Sequence, residues 1–299
     1  MPDQKRRFSF VQLDVFTSVP LEGNQLAVFL DARGLTDAEM QALARETNLS
    51  ETTFIFPADA AVERERGVRV RIFTVNEELP FAGHPTLGTA MVLHALQSET
   101  GDQTVALDLN VGKIPVQFST RDGLPFGEMT QRDPQFGQTH SREDVARAAG
   151  ISVNDIAADL PIQTVSTGNA FAIVPVVSLA ALQNLSPAWS SMGEYLGKTD
   201  AKFFYFVSRE TKNPDATLQA RMIFYNGEDP ATGSAAGPCA AWAVAHGVFP
   251  PERQSLIEQG VEMKRRSKLY ATGGKTGNKV VNIRVAGHAV EVVRGEMSF

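Results

Sequence analysis

Along the first part of the chain, apolar and polar positions alternate with a period of two. Phe8 to Phe16 alternates, and Leu26 to Leu30 is a short apolar run that follows Gly23-Asn24. Thr53 to Phe56 and Val68 to Phe73 carry the same strand signal, rich in β-branched and aromatic residues. Two stretches depart from it. Thr36 to Glu46 predicts a helix, because Thr36 can cap it, Glu39 stands three residues on and Leu43 continues the apolar face. Pro85 to Leu96 is mostly apolar and predicts a buried helix. At the far end, Val280 to Phe299 reads as two strands joined at Gly287-His288.

The pattern repeats at half the chain length. Residues 71–83 are RIFTVNEELPFAG and residues 221–233 are RMIFYNGEDPATG, a gapless match at an offset of 150. Arg71 meets Arg221, Asn76 meets Asn226, Glu78 meets Glu228, Pro80 meets Pro230 and Gly83 meets Gly233. Upstream, Gly23 to Val28 resembles Gly168 to Ile173 at an offset of 145. Two matches in the same order predict a duplication, with each half a mainly antiparallel sheet holding one central helix. The Gly/Pro-rich stretch 121–135, RDGLPFGEMTQRDPQ, marks the boundary. The expected domains are residues 1–125, to which strand 287–299 returns, and residues 126–286.

In both halves the matched motif ends where a helix begins. The first N–H groups of a helix lack intrahelical partners, and the dipole makes that end partly positive, so a carboxylate or phosphate can sit there. One half offers Gly83-His84-Pro85-Thr86 and the other Thr232-Gly233-Ser234-Ala235. The copies differ where chemistry is expected: His84 falls opposite Ser234, and Leu79 opposite Asp229. This asymmetry points to a site at the interface of the two halves. The competing explanation is that Asp229 and Thr232 only cap a helix. Three other readings of EDPATGSAAGP fail on spacing. No lysine follows the glycines as a P-loop needs, Gly233 directly precedes Ser234 where a nucleophile elbow needs a residue between, and no Gly-x-Gly-x-x-Gly is present.

Composition narrows the class. The 299 residues carry a net charge of −6, with 43% hydrophobic and 21% charged residues, as in a soluble globular protein. The one basic cluster, Lys264, Arg265, Arg266 and Lys268, reads as a solvated strand or loop, so no nucleic-acid partner is expected. Cys239 is the only cysteine; it excludes an internal disulfide and a cysteine metal cluster, and its Ala/Trp neighbours suggest buried packing. MPDQKRRFSF has no apolar run of signal-peptide length and no stretch is long and apolar enough for a membrane helix, so a cytoplasmic protein without a membrane partner is expected.

Glu51 lies in Asn48-Leu49-Ser50-Glu51-Thr52-Thr53-Phe54, between a polar turn and an apolar strand. An edge-strand glutamate is the plain explanation. A carboxyl in an apolar cleft, however, holds its proton more tightly, which suits a group that takes and returns one. LDVFTSVPLEGNQLAVF, ARETNLSETTFI, RIFTVNEELPFAGHPTLGTA and EDPATGSAAGP together resemble the PhzF-like family over essentially the whole chain. That resemblance implies an α+β fold of two pseudo-symmetric diaminopimelate-epimerase-like domains, each a mainly antiparallel, barrel-like sheet around a central helix. It also implies an isomerase that shifts a proton between carbons of a small carboxylate-bearing substrate, as the family's trans-2,3-dihydro-3-hydroxyanthranilate isomerases do. Glu51 would be the acid/base, with His84 and Asp229 assisting and Gly83, Thr232, Gly233 and Ser234 binding substrate. No cofactor and no metal are implied, and a homodimer is. The epimerase relatives use two cysteine bases, which a chain with Cys239 alone does not supply. The Arg221–Glu228 segment is shorter than in the namesake enzymes, so the resemblance covers the fold and the proton-transfer groups but not the exact substrate. The alternatives are an epimerase, racemase or lyase of an amino-acid-like acid, or a non-catalytic binding protein on the same scaffold.

Overall fold

A computed structural model describes residues 6–96, 103–186, 188–224 and 227–299. In chain order the first elements are β1 (Arg7–Val15), β2 (Asn24–Phe29), α1 (Asp37–Thr47), β3 (Glu51–Phe56), α2 (Ala60–Arg66), β4 (Val68–Phe73), β5 (Glu78–Leu79), α3 (Gly83–Leu96), β6 (Thr104–Leu109), β7 (Gly112–Arg121) and β8 (Leu124–Thr130). There follow β9 (Gln135–His140), α4 (Arg142–Ala149), β10 (Ile162–Ser166), β11 (Ala170–Val176), α5 (Leu179–Gln183), α6 (Trp189–Leu196), β12 (Phe203–Ser208), β13 (Leu218–Phe224), β14 (Gly227–Asp229), α7 (Gly233–Ala245), β15 (Ser255–Gln259), β16 (Ser267–Thr276), β17 (Lys279–Gly287) and β18 (Ala289–Ser298). Met1–Met129 with Ala286–Phe299 form one compact unit and Thr130–Val285 the other. Asn226, one of the matched positions of the repeat, lies outside the described residues together with Tyr225, as do residues 1–5 of the opening segment.

The duplication is visible in the pairing. In the first unit β2 runs parallel to β3, β3 antiparallel to β4, β4 antiparallel to β5 and parallel to β6. In the second, β11 runs parallel to β12, β12 antiparallel to β13, β13 antiparallel to β14 and parallel to β15. Even the register carries over: Val68 lies opposite Leu107 and Leu218 opposite Ile257, each pair displaced by 150. In the first unit β1 also pairs with β18, which brings the C-terminal strand back to the N-terminal one.

α3 and α7 are the central helices. From Gly83 to Leu93 every residue of α3 is buried, and in α7 so are Gly233 and Ala235 to Val244. A helix apolar on all sides must be enclosed, and strands of its own unit surround each. Gly88 allows that enclosure, since a Cβ there would come within 2.6 Å of Leu26 Cδ2 and 2.8 Å of Val15 Cγ2. Expected and observed helix starts differ at α3, which begins at Gly83 rather than Pro85. Proline is harmless in the first turn, where its missing N–H has no intrahelical acceptor anyway. α1 keeps its expected capping box between Thr36 and Glu39 and packs Met40, Leu43 and Ala44 onto Phe29, Phe54 and Phe73. Phe29 stacks on Phe54 at 5.0 Å, and Phe54 meets Phe73 edge-on at 5.5 Å.

Candidate active site

In the first unit, α1 ends at Asn48 in the left-handed conformation (φ 52°), a position that asparagine tolerates well. The chain then turns into β3, whose first residue, Glu51, lies opposite Leu26 of β2. His84 is the second residue of α3, directly after Gly83. Glu51 Oε2 lies 3.5 Å from His84 Nε2, with the two side chains 16% and 6% exposed. On the other edge of the ring, Nδ1 meets the amide of Asn24 at 3.2 Å. Burial pushes the imidazole down to about 3, against a hydrogen bond with the Gln25 main chain that pulls the other way. The ring is therefore neutral at ordinary pH and holds one N–H. The Glu51 carboxyl thus faces a neutral imidazole whose other edge lies against the Asn24 amide.

A stability prediction follows. The folded His84 titrates at about 3 and an unfolded one near 6.5. As pH falls below 6.5 the unfolded chain gains a proton that the folded chain does not take up until about 3. His84 therefore favours folding fully above that window, and the contribution is lost on acidification, with a slope of at most ~1.4 kcal/mol per pH unit. Melting temperatures from pH 6.5 down to pH 4 should fall more steeply in the wild type than in His84→Gln. Parallel curves would show that the buried imidazole does not behave this way.

In the second unit, Asp229 ends β14, and Pro230 and Ala231 lead to Thr232 at the N-cap of α7. Gly233 and Ser234 open the helix, so Ser234 holds the position in α7 that His84 holds in α3. The Thr232 side chain makes no capping bond to α7 and donates instead to Asp229 Oδ2 at 2.5 Å. At the start of α7 the Thr232 N–H donates to Gln259 Oε1, and the Ala235 and Ala236 N–H groups donate to the Thr232 carbonyl. Gln131 steadies that end, with Nε2 donating to the Gly233 carbonyl at 2.9 Å and Oε1 accepting from Thr167 at 2.6 Å. A Cβ on Gly237 would overlap the Gln131 amide, which accounts for glycine there.

Glu51, Gly83 and His84 are thus brought together in one unit, and Asp229, Thr232, Gly233 and Ser234 in the other. Strand register adds an asymmetry that the sequence reading missed. Leu26 faces Glu51 and its counterpart Phe171 faces Phe203, so the second copy carries a phenyl ring where the first carries Glu51. Asn24 and Gln259 were missed as well. The signal for Asn24 was the repeated Gly-Asn pair at 23–24 and 168–169; Gln259 lies 150 residues after an apolar Leu109. Cys239 is buried mid-helix and burial pushes its thiol up, so it offers no thiolate base. Among the described residues no group of three or more His, Cys, Asp or Glu side chains could hold a metal ion, and no helix is long and apolar enough to cross a membrane. Of the basic cluster, Lys264 and Lys268 are exposed, whereas Arg266 turns to the buried Glu258 at 3.4 Å.

Two duplicated α+β units, each presenting polar groups at the N-terminus of a buried central helix, define an epimerase-like architecture. Known proteins agree. The family model for phenazine biosynthesis-like proteins, PhzC-PhzF, matches residues 13–295. The trans-2,3-dihydro-3-hydroxyanthranilate isomerase of Pseudomonas aeruginosa is 33% identical, covering 96% of this chain and 98% of its own. An uncharacterised isomerase of Mesorhizobium japonicum is 35% identical, covering 97% and 98%. The crystal structure of a Bacillus anthracis phenazine biosynthesis protein of the PhzF family superposes with a TM-score of 0.87 at 29% identity, over 98% of this chain and 99% of that one. The chain belongs to the PhzC-PhzF family, and it is an isomerase.

Proposed function

We propose that this isomerase shifts a proton between two carbons of a small unsaturated carboxylate, with trans-2,3-dihydro-3-hydroxyanthranilate or a near relative as substrate. The observation that carries the reading is the Glu51–His84 pair, a carboxyl 3.5 Å from a neutral, buried imidazole. Glu51 as carboxylate takes a proton from a carbon next to the unsaturated system. The electron pair enters that system, the double bond moves, and Glu51 returns the proton at another carbon. Atoms and charge balance without a redox step. The neutral His84 ring stays beside Glu51 as the proton moves, and Asp229 accepts a hydrogen bond from the substrate's amino or hydroxyl group. The helix end of each unit, Gly83 at α3 and Gly233 with the Ser234 hydroxyl at α7, is suited to a carboxylate or a developing anion, each contributing about 0.3–1 kcal/mol and up to ~2 when partly buried. The 33% identity to the Pseudomonas aeruginosa isomerase supports the choice of substrate.

The test is a panel of unsaturated carboxylates, that compound included, incubated with the enzyme in deuterated water and followed by mass spectrometry. One member should rearrange and gain one deuteron. If no member exchanges or rearranges with the wild-type enzyme, the proposal fails. For the compound that reacts, Ser234→Ala should raise KM about tenfold, the loss of roughly one charge-assisted hydrogen bond, with kcat changed less.

A further inference from the structure

Gln259, the last residue of β15, has no exposed surface, and its amide makes four hydrogen bonds. Oε1 accepts from the Thr232 main-chain N–H at 3.2 Å and from the Tyr205 hydroxyl at 3.0 Å. Nε2 donates to the Asp229 main-chain carbonyl at 2.6 Å and to Thr232 Oγ1 at 2.9 Å. A main-chain N–H only donates and a carbonyl only accepts, so the amide has one orientation. Thr232 Oγ1 accepts a hydrogen bond from Gln259, and its own O–H donates to Asp229 Oδ2, 2.5 Å away. One chain of bonds thus runs from Gln259 Nε2 through the Thr232 hydroxyl to the Asp229 carboxylate.

The first unit has no such hub. At the 150-residue offset, Gln259, Asp229 and Thr232 correspond to Leu109, Leu79 and Ala82. Tyr205, opposite Met222, corresponds to Thr53, opposite Ile72. Thr53 bonds Thr89 instead, at 2.9 Å. The buried amide is thus found in the copy that carries the carboxylate, while its counterpart stands beside a leucine. A fully satisfied buried amide is costly to disturb and holds its partners in one arrangement.

We propose that Gln259 is a positioning residue: it fixes the Thr232 hydroxyl as a donor to Asp229 and so sets how that carboxylate is presented to substrate. This rests on the role of Asp229 given under Proposed function.

Gln259→Glu tests it, because the side chain keeps its shape and its acceptor but exchanges the NH2 for a group that donates only when protonated. The titratable groups around the position are Asp229, Tyr205 and Cys239, and burial keeps the last two protonated. With the new carboxyl protonated, Thr232 still donates to Asp229. Once it ionises, it competes for the Thr232 proton and Asp229 loses it. Turnover of trans-2,3-dihydro-3-hydroxyanthranilate by Gln259→Glu should therefore fall about tenfold on an alkaline limb that the wild type lacks, in kcat more than in KM, and recover on acidification. A pH profile parallel to the wild type overturns the proposal. Thr232→Val removes the intermediary, and with it one of the four Gln259 bonds, and it should lower kcat by a similar factor even if Gln259→Glu does not fold; an unchanged kcat there overturns the proposal too. If the wild type leaves the probe unchanged, the functional reading fails, and crystal structures decide the positioning by themselves. The Thr232–Asp229 contact should be broken in Gln259→Glu at high pH, or broken by rotation of Asp229 in Gln259→Leu; a contact intact in both overturns it.

Discussion

Glu51→Gln is expected to reduce turnover by about 10²–10⁴-fold, toward the upper end, and to remove solvent deuterium from the product. The amide matches the carboxylate in size and stays polar beside His84, so folding and substrate affinity should change little. What it lacks is a group that can take a proton and give it back. His84 does not replace it, because burial that holds the imidazole at about 3 makes it a poor base at neutral pH. Glu51→Asp should fall between the two, since withdrawal of the carboxyl by one methylene moves it away from both His84 and the reacting carbon. The measurement is deuterium content and kcat for the panel member that the wild type converts, with dissociation constants determined separately. If Glu51→Gln retains turnover within tenfold, the base lies elsewhere, and if exchange persists without turnover, Glu51 serves the return of the proton and not its removal.

The duplication and the helix ends were legible because they are written in local, gapless sequence. Arg71 to Gly83 and Arg221 to Gly233 are strand, turn and helix start in both copies, and a shared offset is enough to align them. The strand bearing Glu51 was harder. Its alternation suggests a start at Thr53, but parallel pairing with β2 extends it to Glu51, and parallel partners lie too far apart in sequence to be read locally. Gln259 was invisible for a related reason. In SLIEQ it looks like the polar end of a strand, and only its register with Ala220 brings it under the Asp229–Thr232 turn. Buried polar partners answer to groups distant in the chain, so they follow from topology. The same holds for Asn24, whose partner lies 60 residues away.

The repeated Arg–Glu pair shows how one sequence motif acquires two energies. In the first unit Arg71 is 18% exposed, binds Glu78 through Nε at 2.8 Å and Nη2 at 2.5 Å, and sends Nη1 to Asp37, itself 80% exposed. In the second, Arg221 is 8% exposed and Glu228 15%; Nε and Nη2 bind the carboxylate at 2.9 and 2.7 Å. Its Nη1 donates to the carbonyls of Leu182, Gln183 and Leu185 at 3.0, 3.3 and 3.1 Å, at the end of α5 where helix carbonyls lack intrahelical donors. Arg221→Met should therefore destabilise the second unit by about 3–5 kcal/mol, because it strands a largely buried carboxylate and takes the side-chain donor from the Gln183 and Leu185 carbonyls. Arg71→Met should cost only about 1 kcal/mol, since water can reach what it leaves behind. Urea unfolding followed by hydrogen exchange, read separately over each unit, measures both. Adding Glu228→Leu to Arg221→Met should restore part of the loss, because the stranded charge is removed, while the Gln183 and Leu185 carbonyls still lack the Arg221 donor. The β13–β14 hairpin that this pair clamps also carries Asp229, so Arg221→Met should lower kcat even at temperatures where the chain stays folded. Equal losses from Arg71→Met and Arg221→Met would mean that burial does not separate the two copies, and full activity in folded Arg221→Met would mean that the clamp does not serve Asp229.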